Sequence, residues 1–221
     1  MKQFQVLLVL AVAIMLTGTL AFATDDGDFA IKIFNNVGIA SNPAGWDNTV
    51  LLSDSGQSFG QFGVAANGNI CANVYVFSHD EQLQECCSCL ITPNGIQGYS
   101  LVRDLTANPL SAFTTPQAVV KVVSTAPSAV GTCDPTAGAK IAGAAPPPAP
   151  APTLVLGLIA EAESIVPTTA EFVSSVPTTQ ELQNIRNLCW FNVHNGSGRG
   201  VCGQTGPLGF SSTLCVAPSA P

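Results

Sequence analysis

Gly68–Gly95 reads GNICANVYVFSHDEQLQECCSCLITPNG, and its two apolar runs decide the fold. In Ile70–Ser78, side chains alternate across a strand, with Ile70, Ala72, Val74 and Val76 on one face and Cys71, Asn73, Tyr75 and Phe77 on the other. Neither face is strongly polar, so this strand is expected to be central or covered on both sides. His79-Asp80-Glu81-Gln82 breaks the run as a polar turn. Cys86–Thr92 resumes as a second strand that puts Cys87 and Cys89 on one face and Cys86 on the opposite one. Pro93-Asn94-Gly95 closes it with turn chemistry.

Outward from this pair, further strands are expected at Phe29–Phe34 (FAIKIF), Thr49–Leu52, Tyr99–Leu105 (YSLVRDL), Ala118–Thr125 (AVVKVVST) and Thr153–Ala160 (TLVLGLIA). Trp46, beside the Asn42-Pro43-Ala44-Gly45 turn, reads as a lid on the core. Residues 144–152 (AAPPPAPAP) must be extended. They either separate two domains or carry the chain along the outside of one, and the strand-like run that follows favours the second. Val166–Phe172 and Val176–Leu182 are near-copies with Pro, Thr-Thr and Glu in order, which is helix-capping chemistry. After the second copy, Leu182, Ile185, Leu188 and Cys189 recur at helical spacing, and Asn195-Gly196 is a stop. The expectation is a mainly β chain: a disulfide-stapled antiparallel β-sandwich over 24–221, with one C-terminal amphipathic helix at 180–193.

The chain opens with Lys2 and the apolar run Val6–Leu16, and Ala21-Phe22-Ala23 is a small-residue cleavage site. That is the pattern of a secretory signal peptide over 1–23, with an uncleaved membrane anchor as the alternative reading. Cleavage predicts a chain that is secreted or periplasmic and has no membrane attachment afterwards. Only 10% of residues are charged, against roughly 25% in an ordinary soluble domain. Losing Lys2 from the 7 basic residues, against 14 acidic ones, leaves a net charge of about −8. The remaining cations are scattered singly, so there is no footprint for nucleic acid. A protein or a surface polymer is left as the partner class.

The 8 cysteines are Cys71, Cys86, Cys87, Cys89, Cys133, Cys189, Cys202 and Cys215. In an oxidising compartment they are expected to be disulfide-bonded. Adjacent Cys86 and Cys87 should take different partners, because joining neighbours strains the geometry. Cys189 and Cys202 bracket the helix end and are the expected pair. The competing reading is a thiolate and imidazole metal site made by Cys86, Cys87, Cys89 and His79. The strand alternation that turns Cys86 away from the other two argues against it, and no cofactor is expected.

Catalytic signals are sparse. Gly198–Gly203 (GRGVCG) matches the dinucleotide-binding glycine pattern, but it follows a helix where that motif must open one. His79 and His194 are the 2 histidines, and no nucleophile elbow accompanies them. Asn195-Gly196-Ser197 is a formal glycosylation sequon that the helix stop also explains. A carboxylate pair for hydrolysis needs no motif, so a secreted hydrolase stays as a further alternative.

Ile70–Gly95 and Leu188–Gly203 (LCWFNVHNGSGRGVCG) resemble segments of a group of uncharacterised secreted bacterial proteins. Their shared features are a strand ending in YVF, a CCSC run leading to TPNG, and a helix leading into NGSG. The resemblance implies secretion and a shared fold and carries over no catalytic residue. The leading expectation is therefore a secreted, non-enzymatic protein with a structural or interaction role. An extracellular or periplasmic metal binder and a secreted hydrolase are the alternatives.

Overall fold

In the computed structural model, residues 31–38, 48–56, 68–78, 80–105, 117–144, 148–163, 171–174, 177–194 and 215–216 are described. The leader at 1–23, Trp46, His79, Asn195–Gly203 and the side chain of Cys215 lie outside them. The elements in chain order are β1 (Ile31–Gly38), β2 (Thr49–Asp54), β3 (Ile70–Ser78), β4 (Leu83–Ile91), β5 (Ile96–Ser100) and α1 (Leu101–Asp104). They continue with β6 (Gln117–Thr125), β7 (Leu158–Glu163), β8 (Glu171–Ser174), α2 (Thr179–His194) and β9 (Cys215–Val216). One sheet has the order β8-β1-β6-β3-β4-β9 and the other β5-β2-β7. Every pairing is antiparallel.

β3 lies between β6 and β4 and is buried on both faces. Ile70, Ala72, Val74 and Val76 join Val50, Leu52, Tyr99 and Leu158 of the smaller sheet in one apolar cluster, which makes the two sheets a sandwich. Tyr75 and Cys86, on the other face, pack with Leu182, Ile185, Cys189 and Val193 of α2. The helix thus covers the face of the large sheet that the small sheet leaves open. Each fully buried aliphatic side chain contributes about 1.5–3 kcal/mol. The alternation of β3 therefore drives two interfaces at once.

α2 begins with a cap. Thr178 Oγ1 accepts the Glu181 N–H at 3.1 Å, as the second Pro-Thr-Thr copy predicts. Of the first copy only Glu171 and Phe172 lie within the described residues. Glu171–Ser174 of that region forms β8 and pairs with β1, Phe34 opposite Phe172. A neighbouring strand edge satisfies the backbone there, which no local capping signal reveals.

Three further expectations are corrected. Tyr99–Leu105 is not one strand: β5 ends at Ser100 and the chain turns into α1. The Asp104 carboxylate accepts the Ser100 N–H at 2.8 Å, and Leu101 and Leu105, four apart, are both fully buried. Local capping and helical spacing override the short alternation. Thr153–Ala160 is also broken. Leu154 makes an isolated bridge to Thr125, and the strand starts only at Leu158. Gly157 sits at φ +104°, a conformation open to glycine that interrupts the extended run. Finally, Leu188 is 43% exposed and does not belong to the buried stripe, which includes Arg186 and Trp190 instead.

The proline-rich segment is tied down at two points. Gly138 donates its N–H to Ala149 O at 2.7 Å, and Ala126 donates to Thr153 O at 2.8 Å. Gly138 has φ +88°, and a Cβ there would lie 2.6 Å from that of Ala151. Glycine is thus required both by the turn and by the close approach of the strap.

At the end of β2, Asp54 is buried. Its Oδ1 accepts the Gly56 N–H at 2.8 Å, while Oδ2 has no hydrogen-bond partner among the described residues. Burial pushes its pKa up, and the Gly56 N–H opposes that shift. A folded-state pKa above the unfolded value means the native chain holds this proton more tightly. Stability from this group is therefore present at low pH and lost as pH rises through the carboxylate range to the folded pKa. Urea unfolding of the native protein and Asp54→Asn across that range should give a difference curve with this slope. A flat difference would refute it.

Candidate functional site

The side chains with reactive potential gather on the two faces of β3 and β4, and the structure shows how each described one is used. Cys71 is bonded to Cys133 with Cα atoms 5.5 Å apart, and Cys86 to Cys189 with Cα atoms 5.8 Å apart. Both distances are ordinary for disulfides. The expected Cys189–Cys202 pair is thereby overturned. α2 lies across the face to which Cys86 points, so Cys189, in the middle of the buried stripe, meets a strand sulfur rather than the following loop. Cys86 and Cys87 do take different partners, as alternation requires. Cys87 and Cys89 point into the sandwich core, and both are disulfide-bonded as well. Among the described residues no cysteine is free.

This arrangement bears directly on the metal reading. The three sulfurs of Cys86, Cys87 and Cys89 are committed to disulfides and face two different sides of β4. A sulfur in a disulfide is not the thiolate that zinc or cuprous copper needs. His79, the fourth candidate, lies outside the described residues. Such cross-links form and persist in oxidising, extracellular-type compartments. No helix among the described residues is long and apolar enough to cross a membrane.

A connectivity prediction follows. With Cys71–Cys133 and Cys86–Cys189 formed, the sequence leaves Cys202 and Cys215 to receive Cys87 and Cys89. β9 places Cys215 directly opposite Cys89 in the β4 ladder, and opposed residues of antiparallel strands stand about 4.5–5.5 Å apart at Cα, within disulfide range. Peptide mapping of the non-reduced protein should find Cys89 joined to Cys215 and Cys87 to Cys202. Recovery of Cys87 linked to Cys215 would refute the register argument.

Between the two helix-face disulfides runs a buried polar row. Asn73 Nδ2 donates to Val123 O and to Thr125 Oγ1, both at 2.9 Å. Ser88 Oγ donates to Asn73 Oδ1 at 2.7 Å. Asn73, Ser88 and Thr125 are all buried. The row thus links side chains of β4, β3 and β6 across the sheet, and its inner amide oxygen and nitrogen are both used.

Next to it, the Tyr75 hydroxyl donates to Pro135 O at 2.8 Å. Complete burial drives the phenol's pKa far upward. The Arg186 guanidinium nearby pulls the other way, while Asp134 adds to the rise. Helix α2 also grips the loop after Cys133. Gln183 Nε2 donates to Gly138 O at 2.8 Å, and Asn187 Oδ1 accepts the Lys140 N–H at 2.8 Å. Lys121 of β6 pairs with Glu181 at 2.6 Å. Part-exposed as it is, that pair contributes at most about 1 kcal/mol.

Beside the Cys71–Cys133 bridge is an open groove of 430 Å³. One wall is the strap of Ala149–Thr153 and the other runs from Ala126 to Ala137, with Cys71 and Thr125 at its base. Among the described residues, its one charged lining residue is Asp134. The carboxylate's Oδ1 accepts both the Thr136 N–H (2.8 Å) and the Thr136 hydroxyl (2.7 Å), which fixes the local turn.

Of the residues sequence reasoning singled out, the structure brings Cys71 to Cys133 and Cys86 to Cys189. His194 caps the end of α2, its Nδ1 2.9 Å from Trp190 O and its ring stacked on that of Trp190, so it is used locally. Asn73, Ser88, Arg186 and Asp134 were not singled out. Asn73 carried a signal: it is a polar side chain in an otherwise apolar strand, and a covered strand must partner such a group. Arg186 and Asp134 carried none, because only the docking of α2 on the loop places them. Compared with known protein families, curated proteins and solved structures, this chain matches none.

Proposed function

We propose that this chain is an exported, non-enzymatic protein with a structural or interaction role outside the cytoplasm, its sandwich serving as a rigid cross-linked scaffold. The observation that carries this reading is the fate of the CCSC run. The densest cluster of nucleophilic atoms in the sequence is spent on cross-links that anchor β4, Cys86 to the helix and Cys87 and Cys89 within the sandwich interior. Sulfur held this way contributes stiffness rather than chemistry. The signal-peptide pattern of residues 1–23 and the resemblance to secreted bacterial proteins support export. The same sulfur bonding counts against a resident metal at Cys86, Cys87 and Cys89.

Expression of the full chain in a bacterial host tests the proposal. The protein should be recovered outside the cytoplasm, cleaved after Ala23, with no thiol reacting under denaturing conditions. It should turn over none of a panel of ester, peptide and glycoside reporter substrates. Free thiols in a cytoplasmic, uncleaved product would overturn export, and catalytic turnover would overturn the non-enzymatic role.

A further inference from the structure

We infer that the groove beside the Cys71–Cys133 disulfide is a docking site for a lysine side chain presented by a partner protein, with Asp134 as the counter-ion. The inference rests on the interaction reading above and gives it a ligand class.

Three features point there. First, among the described residues Asp134 is the only charged one lining the groove, and both its side-chain turn contacts fall on Oδ1. No ion pair engages it among the described residues. The nearby cation, Arg186, is buried beside the Tyr75 hydroxyl. Asp134 thus offers its carboxylate to a ligand cation, and a charge-assisted hydrogen bond is the strongest contact such a groove can offer. Second, the walls suit an aliphatic stem. Pro127, Pro150 and Pro152 contribute ring faces, and Ala129 and Ala151 contribute methyls. A lysine buries its methylenes along apolar surface while its ammonium seeks a carboxylate. Third, the walls are fixed before binding. The disulfide holds Cys133 to β3, and the hydrogen bonds of Ala149 and Thr153 hold the strap. A preformed groove loses little conformational freedom when a ligand enters. The chain as a whole is acidic, with a formal charge of −7, so its field attracts a basic partner and disfavours an anionic one.

The test is a ¹⁵N-HSQC titration of the full exported protein with N-acetyl-lysine-methylamide, its neutral analogue N-acetyl-norleucine-methylamide, and n-butylamine. The lysine compound should shift the amides of Thr132, Asp134, Ala137 and Ala151, and bind about tenfold more tightly than the norleucine compound. Added salt should reduce that advantage. Asp134→Asn keeps an Oδ1 for the Thr136 turn and should abolish the preference for lysine over norleucine. Ala149→Trp, at an exposed backbone-bonded position of the wall, should block both peptides while the spectrum of the sandwich core is unchanged. Equal binding of the lysine and norleucine compounds overturns the inference, as does an undiminished preference in Asp134→Asn. Binding of n-butylamine as tight as that of the lysine compound overturns the peptide-borne occupant. None of these outcomes touches the export and cross-linking that the broader reading rests on, so the two can fail separately.

Discussion

Replacing Cys86 and Cys189 together by alanine should cost about 3 kcal/mol, on the order of a 6–12 °C fall in Tm. The bond spans a sequence separation of 103. With Cys87 joined to Cys202, its two ends stay linked through a path of about 14 residues, so opening it frees a loop of that length and not the whole separation. The effect should also be local. Without the bond, α2 keeps its apolar stripe, the hydrogen bond from Asn192 Nδ2 to Leu83 O (2.7 Å) and the Lys121–Glu181 pair. These hold the helix on the sheet, but no longer covalently. Hydrogen exchange in the double variant should therefore accelerate more in α2 than in β3, which remains covered on its other face by the small sheet. Equal acceleration in both would mean that the bond acts only through the unfolded state.

Asn73→Ala should be strongly damaging although it deletes no large apolar side chain, at about 3 kcal/mol, read from urea unfolding. It removes one side chain and strands three buried groups: the Ser88 hydroxyl, Thr125 Oγ1 and Val123 O. An orphaned buried polar group costs about 1–3 kcal/mol. The losses are partly relieved by rearrangement, so the sum is not reached. Ser88→Ala alone leaves Asn73 Oδ1 without its donor and should cost about 1 kcal/mol. The double variant should be less destabilised than the two single effects added together, because Ser88 has nothing left to lose once Asn73 is gone. Strict additivity would show that the row does not act as a unit.

Much of this architecture was legible in the chain. β3 lies where its alternation placed it, Ile70–Ser78, and both its faces are covered because neither carried enough polarity to meet water. The separation of Cys86 from Cys87 and Cys89 follows from strand geometry alone, since successive side chains must point to opposite faces. The start of α2 was readable from the Thr178 cap. Patterns of this kind are local: they depend on residues a few positions apart and need no knowledge of what packs against them.

What sequence alone did not determine depends on contacts between distant segments. Cys189 could have closed a short loop to Cys202. It bonds Cys86 because α2 docks across β4, a choice made by burial of the helix stripe over a sequence separation of 103. Glu171 and Phe172, the last two residues of the first near-copy, lie in a strand because β1 presents them an edge to pair with. Leu188 faces outward because the bond at Cys189 and the packing of Leu182, Ile185 and Val193 fix the helix's rotation. The groove exists only where the strap, the loop after β6 and the end of β3 converge. The Gly68–Gly95 stretch therefore specified two strands and the faces of its cysteines. Which partners those sulfurs met was decided by the tertiary structure, because pairing depends on the free energy of burying whole elements together and leaves no mark at the cysteines themselves.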